Sequence, residues 1–365
     1  MVVPESTMST LPESVLEPDK KRPIPWVRLV VGLVVLGLAI YAPLYLTPSD
    51  NQTLSRVLYI AGAAMGLNLL TGFNGQISIG HGAFFGIGAF TTGILVVDHG
   101  WPLELTIPVG ALLAAAVGVL IGFPALRVRG LYLALITLGL AVLFPRVASK
   151  YVDGLGGVAL LQPSRSDRSS LINGLDDDQY QYYLTLFVVA ILFILAWNLI
   201  RSRTGRAMIS TRDQELAAQS VGINTSFTKV TTFALSAAFA GVAGSLSVMV
   251  TGVADATNPL IYFQLSIEFL IAVVIGGSAT ILGPLIGAAV LVFIQEQTTD
   301  LIEGKEILAP TVLGVALILI VYVLPEGVVG GYRRFAAYAQ RRWKARGTSP
   351  PPGPTTANTT TPEPT

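Results

Sequence analysis

Residues 67–93 read LNLLTGFNGQISIGHGAFFGIGAFTTG. The stretch is apolar enough to lie at membrane depth, yet after Thr71 it carries seven glycines together with Asn74, Gln76, Ser78 and His81. A helix facing lipid has no use for such residues. Backbone broken by glycine at membrane depth frees amides and carbonyls that lipid cannot satisfy, so it must be buried in protein or line a polar cavity. The stretch therefore reads as the wall of a translocation path.

Composition agrees with membrane depth. The chain has 365 residues, 52% hydrophobic and 12% charged, against about a quarter charged in soluble domains, and its mean hydropathy is +0.65. A polytopic membrane protein follows. The absence of cysteine excludes a disulfide scaffold, thiolate metal sites and thiol catalysis, and two histidines, His81 and His99, leave little for a His-based metal or acid–base centre. No metal site and no catalytic residue is expected. A net charge of +1 argues against nucleic acid as a partner. The N-terminal region lacks a cleavable signal pattern, so the first apolar run is expected to be retained as a helix.

Apolar runs of near-spanning length lie at about Val27 to Leu46, Leu54 to Gly72, Ile77 to Val97, Thr106 to Leu126, Leu131 to Ala148, Tyr183 to Ile200, Val230 to Val250 and Leu308 to Leu324. A longer stretch, Leu265 to Ile294, is interrupted at Gly276, Gly277 and Gly283-Pro284. It reads either as one tilted helix or as two arms that turn back. Charge decides between them. Seventeen of the twenty-three Lys and Arg residues gather in the N-terminal tail, at Arg127 and Arg129, in the loop 201–229 and after the last span. The other loops are mostly acidic. Basic loops sit in the cytoplasm at every turn only if Leu265 to Ile294 enters and leaves on the outer side. The expected fold is an all-α polytopic membrane helix bundle with about ten membrane passes, some through broken or short helices, and both termini cytoplasmic. Residues 1–25 form a disordered cytoplasmic tail, 26–330 the transmembrane domain, and 331–365 a basic and then Pro/Thr-rich cytoplasmic tail.

The glycines admit two readings. Gly62 with Gly66, and Gly82 with Gly86, are GxxxG spacings that let any packed bundle bring helices close. Packing alone does not account for the polar side chains beside them. The expected helix breaks are Gly72, Gly75, Gly80 and Gly82 in the first half and Gly276, Gly277, Gly283 and Pro284 in the second, a weak internal repeat with one broken helix in each half. The outer loop 149–182 is long, without expected structure of its own, and reads equally as a solvated connector or as a docking face for a delivery protein.

The cytoplasmic loop 201–229 has helix punctuation. Thr211 can cap a helix start with Gln214 reaching back, Asp213 and Glu215 lie in the favoured first turn, and Gly222 fits the left-handed position past the end. A helix of about ten residues, Thr211 to Val221, is predicted, too short to stand alone in water. It either lies on the bundle or inserts into a groove of a cytoplasmic partner, with Arg212 and Glu215 fixing register.

The Ala217-Ala218-x-x-x-Gly222 spacing resembles the Glu-Ala-Ala-x-x-x-Gly loop by which permease subunits of ABC importers dock on their ATPases; Leu216 holds the Glu slot and Glu215 comes one position early. Together with LNLLTGFNGQISIGHGAFFGIGAFTTG, GRAMISTRDQELAAQSVGIN, TFALSAAFAGVAGSL and IAVVIGGSATILGPLIGAAV, it makes roughly residues 30–330 similar to the branched-chain amino-acid ABC permeases of the LivM type. After Val147 the chain reads Asp153-Gly154-Leu155-Gly156-Gly157 where that family commonly has a Thr-Gly-Gly-x-x-Gly-type run, and urea and short-amide permeases share the other blocks, so the cargo stays open between these classes.

The resemblance implies a multi-pass subunit of a bacterial cytoplasmic membrane. It implies as partners a second related permease, two ABC ATPase subunits and an extracytoplasmic solute-binding protein. ATP coupling would fall to Arg212, Glu215, Leu216, Ala217, Ala218 and Gly222. The chain contains no G-x-x-x-x-G-K-[ST] motif, so no cofactor is expected on it, and ATP and magnesium are expected on the partner subunits. Asn74, Gln76, Ser78, His81, Glu268, Ser278 and Thr280 are placed along the path. Glu268 and His81 are the clear intramembrane ionisable residues, a thin relay for the runner-up, an ion-coupled secondary transporter. Each also has a plainer reading: Glu268 as an interface acid with a partner, and His81 as a donor to freed carbonyls.

Overall fold

The computed structural model describes residues 37, 39–125, 130–151, 158–160, 176–255, 257–258, 260–301, 314, 318, 322 and 327–331. The tail 1–25, most of the first predicted span, the Arg127–Arg129 turn, nearly all of the last predicted span and the tail beyond residue 331 lie outside them. The chain divides into two compact units, Met1–Asn51 and Gln52–Thr365. In the first, a single 3-10 turn spans Ala42–Leu44. Thr47 and Asp50 cap one another: both the Thr47 amide and its hydroxyl donate to Asp50 Oδ2, and the Asp50 amide donates back to Thr47 Oγ1.

The helices are α1 Pro48–Leu67, α2 His81–Val97, α3 Leu103–Ala125, α4 Leu131–Tyr151, α5 Asp177–Arg201, α6 Arg203–Asp213, α7 Glu215–Ser220, α8 Thr225–Thr251, α9 Ile261–Gly276 and α10 Gly283–Leu301. A π-helical turn, Asn68–Phe73, continues α1. Five stretches are long and apolar enough to cross a membrane: Pro48–Phe73, Leu103–Pro124, Tyr132–Lys150, Asp177–Arg201 and Thr225–Thr251; α2 and α9 are shorter apolar helices. The fold is an all-α, multi-pass membrane helix bundle. Its one sheet among the described residues is a ribbon of two three-residue strands, β1 Val158–Leu160 and β2 Val253–Asp255, antiparallel with Ala159 opposite Ala254.

Burial sorts the helices. The apolar window of α8 is 83% buried and that of α1 with its π turn 72%, whereas that of α5 is 22%. The outer helices α3, α4 and α5 present Leu112, Leu120, Phe123, Leu135 and Phe187 outward, a surface that lipid would cover. At the centre α8 packs on α2, α3 and α5. Its closest approach runs through glycine: a Cβ on Gly88 of α2 would strike the Gly241 backbone of α8, and a Cβ on Gly241 would strike Ala114 of α3. In lipid, where apolar surface gives helices no reason to associate, such close contact supplies the packing energy. Aromatic edge contacts fill the remaining space, with Phe144 set between Phe90 at 5.9 Å and Tyr262 at 5.0 Å.

The interrupted stretch Leu265 to Ile294 is two helices, α9 and α10, joined by a turn at residues 277–282. Two expectations need correction. The described residues of the loop 149–182 are not without structure: α4 runs on to Tyr151, β1 lies within the loop and pairs with β2, and α5 starts at Asp177 behind an Asp176 cap that shares reciprocal bonds with Gln179. The strand was not foreseen because its partner lies almost a hundred residues away. The predicted helix Thr211 to Val221 is also wrong in its bounds. Thr211 belongs to the last turn of α6, where its hydroxyl donates to the Ala207 carbonyl at 2.7 Å, so it caps nothing. Gln214 is extended and separates α6 from the six-residue α7, and Gly222 does take the left-handed conformation, φ +84°. The Ser/Thr habit of returning its hydroxyl to the carbonyl four residues back, available only inside a helix, decided against the cap.

Candidate functional site

The first break begins where α1 widens into the π turn. The amides of Asn74 and Gln76 reach back to the carbonyls of Leu69 and Leu70, at 3.2 and 3.0 Å, and Gly75 then takes φ +72°. A side chain at Gly75 would be strained by that φ and would also meet the stem of Arg212. Residues 75–80 form neither helix nor strand, and the freed polar groups here and at the start of α2 find partners on neighbouring elements. Gln76 Nε2 donates to the Lys229 carbonyl on α8 (3.3 Å), and its own carbonyl accepts from Thr71 Oγ1 (3.1 Å). The Ile79 amide donates to Thr137 Oγ1 on α4 (3.0 Å), and the Gly82 amide to Ser266 Oγ on α9 (2.8 Å). Irregular backbone at membrane depth is thus satisfied by protein, as the bilayer requires.

His81 opens α2 and is fully buried. Its Nε2 lies 2.7 Å from Ser236 Oγ, and the single proton of that hydroxyl points to the Gly66 carbonyl. Proton counting then makes the histidine Nε2–H the donor to Ser236. His81 Nδ1 is left buried and without a hydrogen-bond partner, as are both amide atoms of Asn74. Ser78 is fully buried, with its hydroxyl 3.4 Å from the Gly80 amide.

The second break is a tight turn. Thr280 Oγ1 donates to the Gly277 carbonyl (2.6 Å) and accepts from the Gly283 amide (3.1 Å), while Ser278 is exposed. Ala279 adopts φ +56°, the one non-glycine residue with positive φ among the described residues. Asn68 fastens this turn to the first break: its Oδ1 accepts from the Ala279 amide (2.9 Å) and its Nδ2 donates to the Thr280 carbonyl (2.7 Å). Gly72, one helical turn on, lies against Ala279 so closely that a Cβ there would clash. The two breaks, one from each half of the chain, therefore meet.

Glu268 stands apart from both. Its Oε1 accepts from Gln295 Nε2 (3.2 Å), whose Oε1 accepts from Arg56 Nη2 (2.8 Å), a chain across α9, α10 and α1; Glu268 Oε2 has no hydrogen-bond partner. A groove of about 540 Å3 between α3 and α4, lined by Ile121, Ile136, Leu140, Leu143 and Arg146, is apolar and includes none of the break residues.

In the loop 201–229, α7 is bound to the bundle by the Lys229–Glu215 ion pair (2.5 Å) and by Gln219 Nε2 donating to Thr225 Oγ1 (2.9 Å), with Ala218 buried beneath. Leu216 is 78% exposed and Val221 75%, and Ala217 and Gly222 share their exposed face. Arg212 turns inward: Nη1 donates to the Gly72 carbonyl (2.8 Å) while Nε and Nη2 hold Asp213 Oδ1. Of the residues assigned to ATPase contact, then, Arg212, Glu215 and Ala218 face their own bundle, and Leu216, Ala217 and Gly222 face outward.

The family model described as "Branched-chain amino acid transport system / permease component" matches residues 51–322, which contain both breaks and the α6–α7 loop. The chain belongs to this family. It is 31% identical over 322 residues to the high-affinity branched-chain amino acid transport system permease protein LivM of Escherichia coli (strain K12), an alignment covering 82% of this chain and 74% of that protein. It is 30% identical to the LivM protein of Salmonella typhimurium, over 77% of this chain and 69% of that protein. The LivH permease protein of the same Escherichia coli system is 29% identical, over 73% of this chain and 90% of LivH. No solved structure is a significant match.

For this permease, sequence reasoning missed Asn68, Thr137, Ser236 and Ser266, whose side chains hold the breaks. A signal existed for Asn68: it is an amide side chain inside an apolar span, which lipid-facing helices avoid, and it precedes Gly72 by one turn and so shares its face; Ser236 carried none. Thr137 and Ser266 carried no such signal, because Ser and Thr in a membrane helix are usually satisfied by their own carbonyl four residues back.

Proposed function

We propose that this chain is a membrane-spanning subunit of an ABC importer for branched-chain amino acids in a bacterial cytoplasmic membrane. It pairs with a second, related permease. The observation that carries the reading is α7, a six-residue helix that exposes Leu216 and Val221 while its other side is tied through Glu215, Gln219 and Ala218 to the bundle. A helix so short has no stability of its own, and an exposed apolar tip mounted on a braced base fits a groove in a partner. Two ATPase subunits occupy that side and carry ATP and magnesium, since the chain has no phosphate-cradling motif of its own. A solute-binding protein delivers cargo on the other side.

Transport proceeds by alternating access: closure of the ATPases displaces α7, and the spans around the two breaks rock to open the path outward and then inward. A zwitterionic amino acid suits a cavity edged by helix ends, whose amides attract the carboxylate and whose carbonyls attract the ammonium group. The family description and the relatives' shared description favour branched-chain amino acids over urea or amides. The test is uptake of labelled leucine into vesicles holding the full assembly. Uptake is expected to require ATP inside; uptake by this chain alone, driven by a proton or sodium gradient, overturns the reading.

A further inference from the structure

We propose that Arg212 is the strut through which displacement of α7 reaches both helix breaks, so that the cytoplasmic loop and the two breaks move as one body. The inference rests on the importer reading above, and concerns a contact inside this chain rather than one with a partner.

The geometry begins with the π turn. A helix end leaves carbonyls without intrahelical partners. Here the amides of Asn74 and Gln76 take the carbonyls of Leu69 and Leu70, and the Gly72 carbonyl goes to Arg212. A cation at a helix C-terminus is also favoured by the dipole. Arginine does this in a way lysine cannot. Asp213 engages Nε and Nη2 on one edge of the guanidinium, which fixes the plane and aims Nη1 at Gly72. The stem of the side chain lies over Gly75, where only a glycine at φ +72° leaves room. Arg212 is thus held at its head by a carbonyl of the break and along its length by the break's own turn.

Two further links complete the line. On the partner side, Arg212 and Asp213 end α6, and only the extended Gln214 separates them from α7. On the membrane side, Gly72 rests on Ala279 while Asn68 grips the Ala279 amide and the Thr280 carbonyl. Ala279 holds a conformation that L residues rarely adopt, which persists because its surroundings dictate it. A push on α7 therefore passes through one extended residue, Gln214, and then through bonded or close-packed contacts to the second break. Two other links run inward from α7: Glu215 through Lys229 to Gln76, which reaches the first break through a longer, 3.3 Å bond, and Gln219 to Thr225 at the start of α8.

The chain has no cysteine, which makes it a clean background for paired spin labels. Labels go at Ser220→Cys on α7, Ser278→Cys at the second break and Asp98→Cys at the far end of α2, all exposed positions. Distances are measured in the reconstituted assembly with and without ATP. In the unmodified background the 220–98 and 278–98 distances are expected to change together on adding ATP, with 220–278 constant. In Arg212→Gln the 220–98 change persists and the 278–98 change is lost, and leucine uptake per ATP hydrolysed falls about tenfold, the scale of one charge-assisted hydrogen bond. Arg212→Lys recovers little of this, because an ammonium lacks the planar fork by which Asp213 fixes the direction of the donor to Gly72. If Arg212→Gln does not assemble, Asp213→Ala gives the same readout by freeing the guanidinium from its guide. A 278–98 change that survives in Arg212→Gln overturns the strut while leaving the importer reading intact. An absence of any ATP response in the unmodified background overturns both.

Discussion

Asn68→Leu removes both bonds between the two breaks while keeping the side chain's length and branching, so no cavity term enters. Its consequence can be sized. An interhelical side-chain hydrogen bond in a membrane averages about 0.6 kcal/mol, because the separated helices find other partners; two such bonds would give about 1 kcal/mol. The groups Asn68 serves are different. They are the amide of Ala279 and the carbonyl of Thr280, in a turn that has no helical partner to fall back on. A buried backbone group left unpaired costs about 1–3 kcal/mol. Ala279 and Thr280 are half-buried, so the lower part of that range applies. The expected total is about 2–4 kcal/mol, with Ala279 relaxing from its positive φ as it is released. In hydrogen–deuterium exchange of the membrane-embedded protein, a peptide covering residues 277–283 should exchange on the order of a hundredfold faster, at tenfold per 1.4 kcal/mol. A peptide from the centre of α8 should not change. Asn68→Asp keeps the acceptor for Ala279 but sets an oxygen against the Thr280 carbonyl, and should be no better than leucine. An acceleration under about fivefold, near 1 kcal/mol, or one shared equally by α8, refutes the claim that Asn68 clamps the breaks.

The same reasoning gives further outcomes. Gly88→Ala forces a methyl into the Gly241 backbone and should lower stability by about 1–3 kcal/mol in thermal unfolding, whereas Gly139→Ala, with nothing within 4 Å, should be neutral or stabilising. Ser236→Ala strands the His81 Nε2–H and the Gly66 carbonyl and should cost about 1–3 kcal/mol by the same melt; Ser236→Thr, which retains the hydroxyl, should recover part of it. Glu215→Gln should weaken the α7 anchorage by about 1–2 kcal/mol, discounted because its side chain is 23% exposed, and should raise ATP hydrolysis per leucine transported; the swap Glu215→Lys with Lys229→Glu should restore coupling. Glu268→Gln should leave ATP-driven uptake in place, since the Gln295 bond can be kept through the remaining oxygen; abolished uptake would favour the ion-coupled alternative.

What the sequence made legible followed from residues that act alone. Gly75 and Gly277 mark breaks because positive φ is a property of the single residue, and they have φ +72° and +105°. The spans were legible because hydropathy is additive along a window. Gly222 was readable as a helix stop for the same local reason. The partners of the breaks were not legible, because Asn68 meets Thr280 and His81 meets Ser236 across 212 and 155 residues. The direction of Arg212 was misjudged for a related reason. An arginine in a basic loop suits a partner's acid, and nothing local to residue 212 announces that the Gly72 carbonyl needs a donor.

That misjudgement bears on where a solute could be recognised. Gln76, Ser78 and Thr280, chosen as path residues for their polarity, direct their groups to backbone of this same chain, and His81 directs Nε2 to Ser236. A group bound in this way holds the break shut and is not offered to cargo. The buried polar atoms with nothing to bind near the breaks are the amide of Asn74 and Nδ1 of His81. Within a low-dielectric interior an unpaired amide is costly. Asn74 sits at the end of the π turn that Arg212 grips, two residues beyond Gly72. The assigned path residue whose side-chain amide makes no bond to the chain thus lies on the same turn of backbone that Arg212 grips.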